Sequence, residues 1–540
     1  MTKASRKVDG VRDRITGAGG SSLDETIYAG AGAGTGKTQA LVERIVNLII
    51  HGGVQPGKIA AVTFTVAAAS ELMQRVREEL EKRLDEEVVK NGAENPGDIQ
   101  ITLSNALNSL DSAFVGTIHS FAQSLLRERP LPVGLPPVFE LYDAVQGDER
   151  FDEEWSSWLD VELENPEFST AVINAQRLGL TQPLDKLRDL AEELHVNFDL
   201  AQRVGALASA DQAIDLGGIL ESIRVDLQKA FDLRVHCKNV EDKLLIHIES
   251  SIQMALDWID ESTSSGSSEE QILALTQLPN FTTTGGRKGD WTSLSSGQSS
   301  LEEVRDLLKG ARRTLENGRK SLGEKTIVPL VNAVLRMVVG YATKRRAEGM
   351  LEFQDLLVLS SELLDTDDEA LKYFQERYTH ILIDEFQDTD PLQLKLAMRL
   401  ADRDSDSKTG GTPTAGALFV VGDEKQSIYR FRRADFTQLQ GLIRSLGASE
   451  LSLSKNFRSA PGILSWVNSI FEPWMNGSDG VSKNPNQAEY VSLEPGREDN
   501  FDADKPRVMI AGGPADGNVD VARASEAEDF AKLALNVGAG

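Results

Sequence analysis

Ala29-Gly30-Ala31-Gly32-Ala33-Gly34-Thr35-Gly36-Lys37-Thr38 is the stretch from which the rest of this chain can be read. Thr26-Ile27-Tyr28 before it is β-branched and aromatic, as a strand is. After it Leu41, Ile45 and Leu48 recur at helical spacing, with Val42, Val46 and Ile49 beside them. Strand, glycine loop and helix are the context of a phosphate-binding loop. Glycines let the backbone wrap an anion, and the helix N-terminus adds partial positive charge. Lys37 can reach β- and γ-phosphates, and the Thr38 hydroxyl can hold Mg²⁺. Ala31 stands where the pattern has its first glycine, and its short side chain keeps the loop compact. The plainer alternative is a flexible Gly/Ala loop capping a helix.

The surrounding chain sets bounds. Its 540 residues exceed one compact core, so about three domains are expected. With 40% hydrophobic and 26% charged residues, the composition is that of a soluble globular protein. The 57 basic and 84 acidic residues give a net charge of −27, which argues against non-specific coating of nucleic acid or membrane. A basic track inside a cleft is still compatible with it. The single Cys237 has no internal disulfide partner, pointing to a reducing compartment. No apolar run reads as long enough to span a bilayer, and the charged N-terminus lacks a signal-peptide core. A cytoplasmic protein without membrane contact is the expectation.

Residues 1–23 read as polar. Ile59–Phe64, Phe114–Thr117, Tyr378–Asp384, Ala417–Val421 and Leu451–Leu453 read as further strands, with helices between them. Such alternation implies a mostly parallel sheet covered on both faces. Prolines at 130–137 close the first part, and a long, helix-patterned stretch follows. The fold class is therefore α/β, with a large helical insertion interrupting the sheet. Near the end, Arg507–Ala511 reads as a strand and Glu526–Leu535 as a helix.

Three more segments carry chemistry. In Ile381-Leu382-Ile383-Asp384-Glu385-Phe386-Gln387-Asp388, two carboxylates directly follow a buried strand. They fall at the carboxyl edge of the sheet, where ligands bind in open α/β folds. Asp384 is placed to hold Mg²⁺ and Glu385 to accept a proton from attacking water. An acidic helix cap is the bland alternative. In Val420–Arg433 a polar amide past a strand can sense a γ-phosphate. Tyr429 and Phe431 alternate there with Arg430, Arg432 and Arg433, a composition suited to stacking on unpaired bases. A basic turn packed on the core has the same letters. In Leu453–Ser459, Arg458 is a candidate arginine finger or, in isolation, a surface arginine at a strand end.

Taken in order, AGAGTGKT, VTFT, GTIHSF, IDEFQD, VGDEKQSIYRFR and NFRS resemble the ATPase core of superfamily 1 helicases of the UvrD/Rep type. They look closest to the AddA/RecB-like branch. The resemblance covers 24–129 and 346–470, with a weaker echo at the tail. It implies two RecA-like domains with ATP and Mg²⁺ in the cleft between them, single-stranded DNA across the top, and 3′-to-5′ translocation driven by hydrolysis. It further implies nucleotide contact from Ala31, Gly32, Ala33, Gly34, Thr35, Gly36, Lys37 and Thr38. Thr38 and Asp384 would serve the metal. Lys37, Asp384, Glu385, Gln426 as γ-phosphate sensor and Arg458 as finger would serve catalysis. Phe64, Thr117, His119, Tyr429 and Phe431 fall where the family touches DNA, although a lone His119 is also an ordinary turn histidine.

The sequence departs from the family in places. Gly10 stands where an adenine-reading glutamine is usual, Val66 and Ala67 replace more polar residues, and Arg433 replaces a common glycine. No SKGLE-like stretch, second arginine motif or nuclease motif is found in the 540 residues. The resemblance thus divides the chain into 1–129 (domain 1A, first part), 130–345 (helical insertion 1B), 346–458 (1A, second part) and 459–540 (an incomplete second RecA-like domain, 2A). The expected function is an ATP-dependent DNA translocase or helicase of recombinational repair, as an N-terminal portion. It would act on single-stranded and duplex DNA, with a partner subunit or a missing C-terminal half. The alternative is a nucleotide- and DNA-binding remnant or subunit without turnover. An unrelated P-loop ATPase fits poorly with QSIYRF and NFRS.

Overall fold

A computed structural model describes residues 3–91, 97–208, 214–295, 297, 299–403, 412–428, 447–476, 488–498 and 519–538. Tyr429, Arg430, Phe431, Arg432, Arg433 and the strand expected at Arg507–Ala511 lie outside the described residues. The chain divides into two units, Met1–Pro137 with Leu356–Gly540, and Val138–Asp355.

The first unit is built on six parallel strands: β1 (Ile27–Ala31), β2 (Ile59–Thr63), β3 (Phe114–Thr117), β4 (His380–Ile383), β5 (Leu418–Gly422) and β6 (Ser449–Leu453). Their order is β3-β2-β4-β5-β1-β6. Ile27 and Gly30 pair with Phe419 and Gly422 on one side, and Ile27 and Ala31 with Ser449 and Leu453 on the other. Thr63 pairs with Thr117, Val62 with Ile383, and Ile383 with Val420. β1, β2 and β5 are buried almost throughout, as apolar runs must be when helices cover both faces. Because every strand runs the same way, all six carboxyl ends open on one edge.

The helix Lys37–Ile50 buries Leu41, Val42, Ile45, Val46 and Leu48 against this sheet. The N-terminal residues, expected to be merely polar, instead contain a helix over Lys3–Thr16. Among the side chains of that helix whose burial is described, Val11 and Ile15 join the core. The buried Arg44 and Asn47 hold the segment down. Arg44 donates to the carbonyls of Ile15 and Ser22 at 3.0 Å each, and Asn47 donates to Thr16 O at 2.9 Å. Burial pulls the Arg44 guanidinium down to about 10.

The second unit is helical. Leu220, Ile223, Leu227, Ile248, Ile259, Leu308 and Leu315 form its core. Its longest element, Ser300–Glu348, spans 49 residues, about 73 Å at the usual helical rise. One window of this helix is long and apolar enough, by length and composition, to cross a membrane, contrary to the expectation that no run is. Half of that window is buried inside the protein, as in the core helix of a bundle. Near its end Arg345 makes a paired contact with Asp355 at 2.8 and 2.9 Å, both side chains being buried.

Candidate nucleotide site at the sheet edge

The loop after β1 turns on Gly34 and Gly36, at φ +77° and +82°, which only glycine adopts freely. Thr35 closes the turn, its N–H and hydroxyl both donating to Gly32 O. Ala31 ends β1, while Gly32, Ala33 and Gly34 bring the backbone to the Lys37 helix. Gly36 provides no side-chain cap, and no acidic residue stands in the first turn. The N–H groups of Lys37 and Thr38 therefore begin a helix with no carboxylate competing for them, an arrangement that fits a phosphate.

Directly across the edge, Lys37 Nζ lies 2.6 Å from Glu385 Oε2. Glu385 follows β4 in a left-handed conformation, φ +50°, unusual for a residue with a side chain. Its neighbour Asp384 is anchored at the end of β4, its N–H donating to Val62 O and its carboxylate accepting the Glu385 N–H at 2.9 Å. Burial, then the adjacent Glu385 charge, pushes Asp384 up to about 6. The same two causes push Asp388 up to about 6. Among the described residues no cluster of three metal-ligating side chains occurs. Mg²⁺ in nucleotide sites needs only one or two carboxylates beside phosphates and water, and Asp384, at the end of β4, brings one carboxylate to this edge.

β5 delivers the next group. Asp423 caps the short turn Glu424–Gln426, and Gln426 Nε2 donates to Asp423 Oδ2 at 2.7 Å. Tyr28 of β1 donates to Glu424 at 3.1 Å, and burial, then the Glu424 charge, pushes its phenol upward. The segment past β6 closes over the loop. Asn456 donates to Ala33 O at 2.6 Å, and the Phe457 N–H donates to Gly34 O at 2.8 Å. A Cβ on Gly34 would stand 2.6 Å from Arg458 Cβ, so the backbone of Arg458 lies directly against the loop, with its side chain exposed.

Phe64 and Val66, both exposed, follow β2, and Thr117 ends β3, with Ile118 and His119 next, on the same edge. The Thr117 hydroxyl caps the helix Ile118–Glu128 by accepting the Ser120 N–H, and His119 is half-buried in the first turn. Gly10 lies within the Lys3–Thr16 helix, with open space where a side chain would be. Lys37, Asp384, Glu385, Gln426 and Arg458 thus share one edge, with Phe64, Thr117 and His119 at the ends of β2 and β3. Tyr429 and Phe431 lie outside the described residues. The sequence reading passed over Gln387, Asp423 and Asn456. Gln387 and Asn456 act through side-chain hydrogen bonds between segments distant in sequence, for which the letters carry no local signal, whereas the Asp423 side chain caps its own turn.

An open parallel sheet with a lysine-bearing glycine loop facing two carboxylates defines a RecA-like P-loop protein, here carrying a helical insertion. Residues 18–446 match the UvrD/REP helicase N-terminal domain, and the chain belongs to that family. Similar curated proteins are each named as the A subunit of an ATP-dependent helicase/nuclease. That of Clostridioides difficile (strain 630) is 26% identical over 91% of this chain and 40% of its own length. That of Alkaliphilus oremlandii (strain OhILAs) is 28% identical over 83% and 38%, and that of Clostridium botulinum (strain Alaska E43 / Type E3) is 26% identical over 95% and 43%. The chain spans about two fifths of the length of these relatives.

Proposed function

We propose that this chain carries the nucleotide-binding lobe of an ATP-dependent DNA helicase, moving 3′ to 5′ on single-stranded DNA in recombinational repair within the cytoplasm. The observation that carries this reading is the meeting of Lys37 and Glu385 at 2.6 Å on an edge shared with Asp384 and the Gln426 turn. Lys37 would exchange its carboxylate partner for the β- and γ-phosphates. Glu385 would then be free to take a proton from water, and Gln426 would sense the γ-phosphate. Mg²⁺, held by Thr38 and Asp384, would neutralise phosphate charge. Arg458 would face the transferred group from the far side. Single-stranded DNA would cross Phe64, Thr117, His119, Tyr429 and Phe431. We keep the division into 1–129, 130–345, 346–458 and 459–540 as part of this proposal, with duplex DNA or a partner subunit meeting the insertion.

The Lys37–Glu385 ion pair, which engages both the phosphate-gripping cation and the proposed base, also fits a second reading, nucleotide and DNA binding without turnover by these 540 residues. Fluorescent-nucleotide binding, DNA-stimulated ATP hydrolysis and unwinding of a 3′-tailed duplex separate the two. Binding that Lys37→Ala abolishes supports both readings. Stimulated hydrolysis that Glu385→Gln abolishes selects the first. Nucleotide binding that survives Lys37→Ala rejects the site itself.

A further inference from the structure

Gln387 is only 4% exposed, yet every polar atom of its side chain is engaged. Its Oε1 accepts the backbone N–H of Asp423 at 2.8 Å. A backbone N–H only donates, so the orientation of the amide is fixed and Nε2 faces the carboxylates. Nε2 donates to Glu385 Oε2 at 2.8 Å and to Asp388 Oδ2 at 3.2 Å. The Glu385 oxygen is the one that receives Lys37 Nζ. The main chain adds another tie, Ser427 Oγ donating to Gln387 O at 3.3 Å. At the far end, Asp423 holds Gln426. β5 also makes room for this bridge, because a Cβ on Gly422 would stand 2.7 Å from Gln387 Oε1.

We propose that Gln387 is a positioning residue that couples the Glu385 carboxylate to the Asp423–Ser427 turn, so that nucleotide occupancy at Lys37 is transmitted to the DNA-facing side of the edge. This rests on the nucleotide reading above. When Lys37 leaves Glu385 for a phosphate, Oε2 loses its ammonium and retains the Gln387 amide. That amide is short and rigid, and its other end is hydrogen-bonded to the Asp423 backbone. A displacement of the carboxylate therefore moves the turn that carries Gln426. From Ser427 the sequence continues into the aromatic–arginine stretch. A neutral amide suits the task because it donates to a carboxylate and accepts from an N–H at once, which no apolar residue of equal volume does.

The test uses the full 540-residue chain, a labelled single-stranded oligonucleotide and a non-hydrolysable ATP analogue with Mg²⁺. In the unsubstituted chain the analogue is expected to change DNA affinity by about fivefold or more, the lower end of typical coupling. Gln387→Met keeps the volume and removes the hydrogen bonds. It is expected to hold analogue affinity within about twofold while abolishing the nucleotide-dependent change in DNA affinity. Gly422→Ala displaces the same amide from the other side and is expected to give the same result, which decides the matter should Gln387→Met fail to fold. Intact coupling in either folded variant overturns the proposal. So does joint loss of analogue affinity and coupling in both, which marks plain structural damage. If the unsubstituted chain binds the analogue but shows no change in DNA affinity, only the coupling falls. If it binds no analogue, the nucleotide reading falls first.

Discussion

Lys37 and Glu385 are 348 positions apart and meet at 2.6 Å, the ammonium of the glycine loop resting on the carboxylate that follows β4. The contact sets a cation against an anion at this edge, beside the hydrogen bond that Glu385 accepts from Gln387. Lys37→Ala removes the phosphate-gripping charge and leaves Glu385 without its ammonium. Affinity for ATP·Mg²⁺ is expected to fall by about 100-fold or more, a loss of roughly 2.7 kcal/mol. Titration with a fluorescent nucleotide measures it.

The Asn456 side chain, 2% exposed, stitches the loop to the turn past β6, donating to Ala33 O and accepting the N–H groups of Arg458 and Ser459. Asn456→Ala leaves those groups without partners, a penalty of about 1–3 kcal/mol each where water is excluded. The loop should lose its fixed shape, and nucleotide affinity should fall about tenfold. Arg458→Ala, by contrast, is expected to leave affinity within about threefold and to slow hydrolysis in single-turnover quench experiments.

Asp384 titrates near 6 in the folded chain, against an ordinary value of 3.8. The folded state therefore holds this proton more tightly than the unfolded chain does. The stabilisation this supplies is complete below 3.8 and is lost as pH rises through 6. Asp384→Asn, which retains an acceptor for the Glu385 N–H, should melt at a higher temperature than the unsubstituted protein at about pH 8, by a free energy on the order of 2 kcal/mol. The advantage should shrink toward about pH 4. Mg²⁺ favours the ionised carboxylate and should narrow the gap. Calorimetric melts across pH, with and without the metal, read all three effects.

In the helical unit the Arg345–Asp355 pair is buried on both sides, and Arg345 also lies over the Tyr341 ring at 4.6 Å. The neighbouring Glu352 takes a hydrogen bond from His195 and feels the Arg345 charge. Against the opposing effect of burial, these hold its carboxyl below the ordinary value. Asp355→Ala leaves the buried Arg345 with the more distant Glu352, at 3.7 Å, as its counter-ion and should destabilise this unit by about 3 kcal/mol, the lower end for a broken buried pair. Replacing both partners, Arg345→Met with Asp355→Leu, should recover most of the loss. Urea titration followed by tryptophan fluorescence detects it, since Trp155, Trp158, Trp258 and Trp291 lie in this unit.

Much of the sheet could be read from the letters because its strands are short apolar runs ending in chemically loaded turns. Ile381–Ile383 leads into Asp384, and Ile27–Ala31 leads into the glycine loop. The limits of individual strands moved by a residue or two, as at β6, which begins at Ser449 rather than Leu451. The Lys3–Thr16 helix escaped because its stability comes from Arg44 and Asn47, residues of another helix that bond its carbonyl end. Gln387 and Asn456 escaped for the same reason. Each works across strands that adjoin only once the order β3-β2-β4-β5-β1-β6 exists.

Glu385 sits at φ +50°, a backbone shape that costs a side-chain-bearing residue about 1 kcal/mol and glycine almost nothing. Glycine there would relieve the backbone while leaving Lys37 and Gln387 without the carboxylate that both of them hold. The proposed motor would thus be silenced by the very residue that its local backbone shape favours.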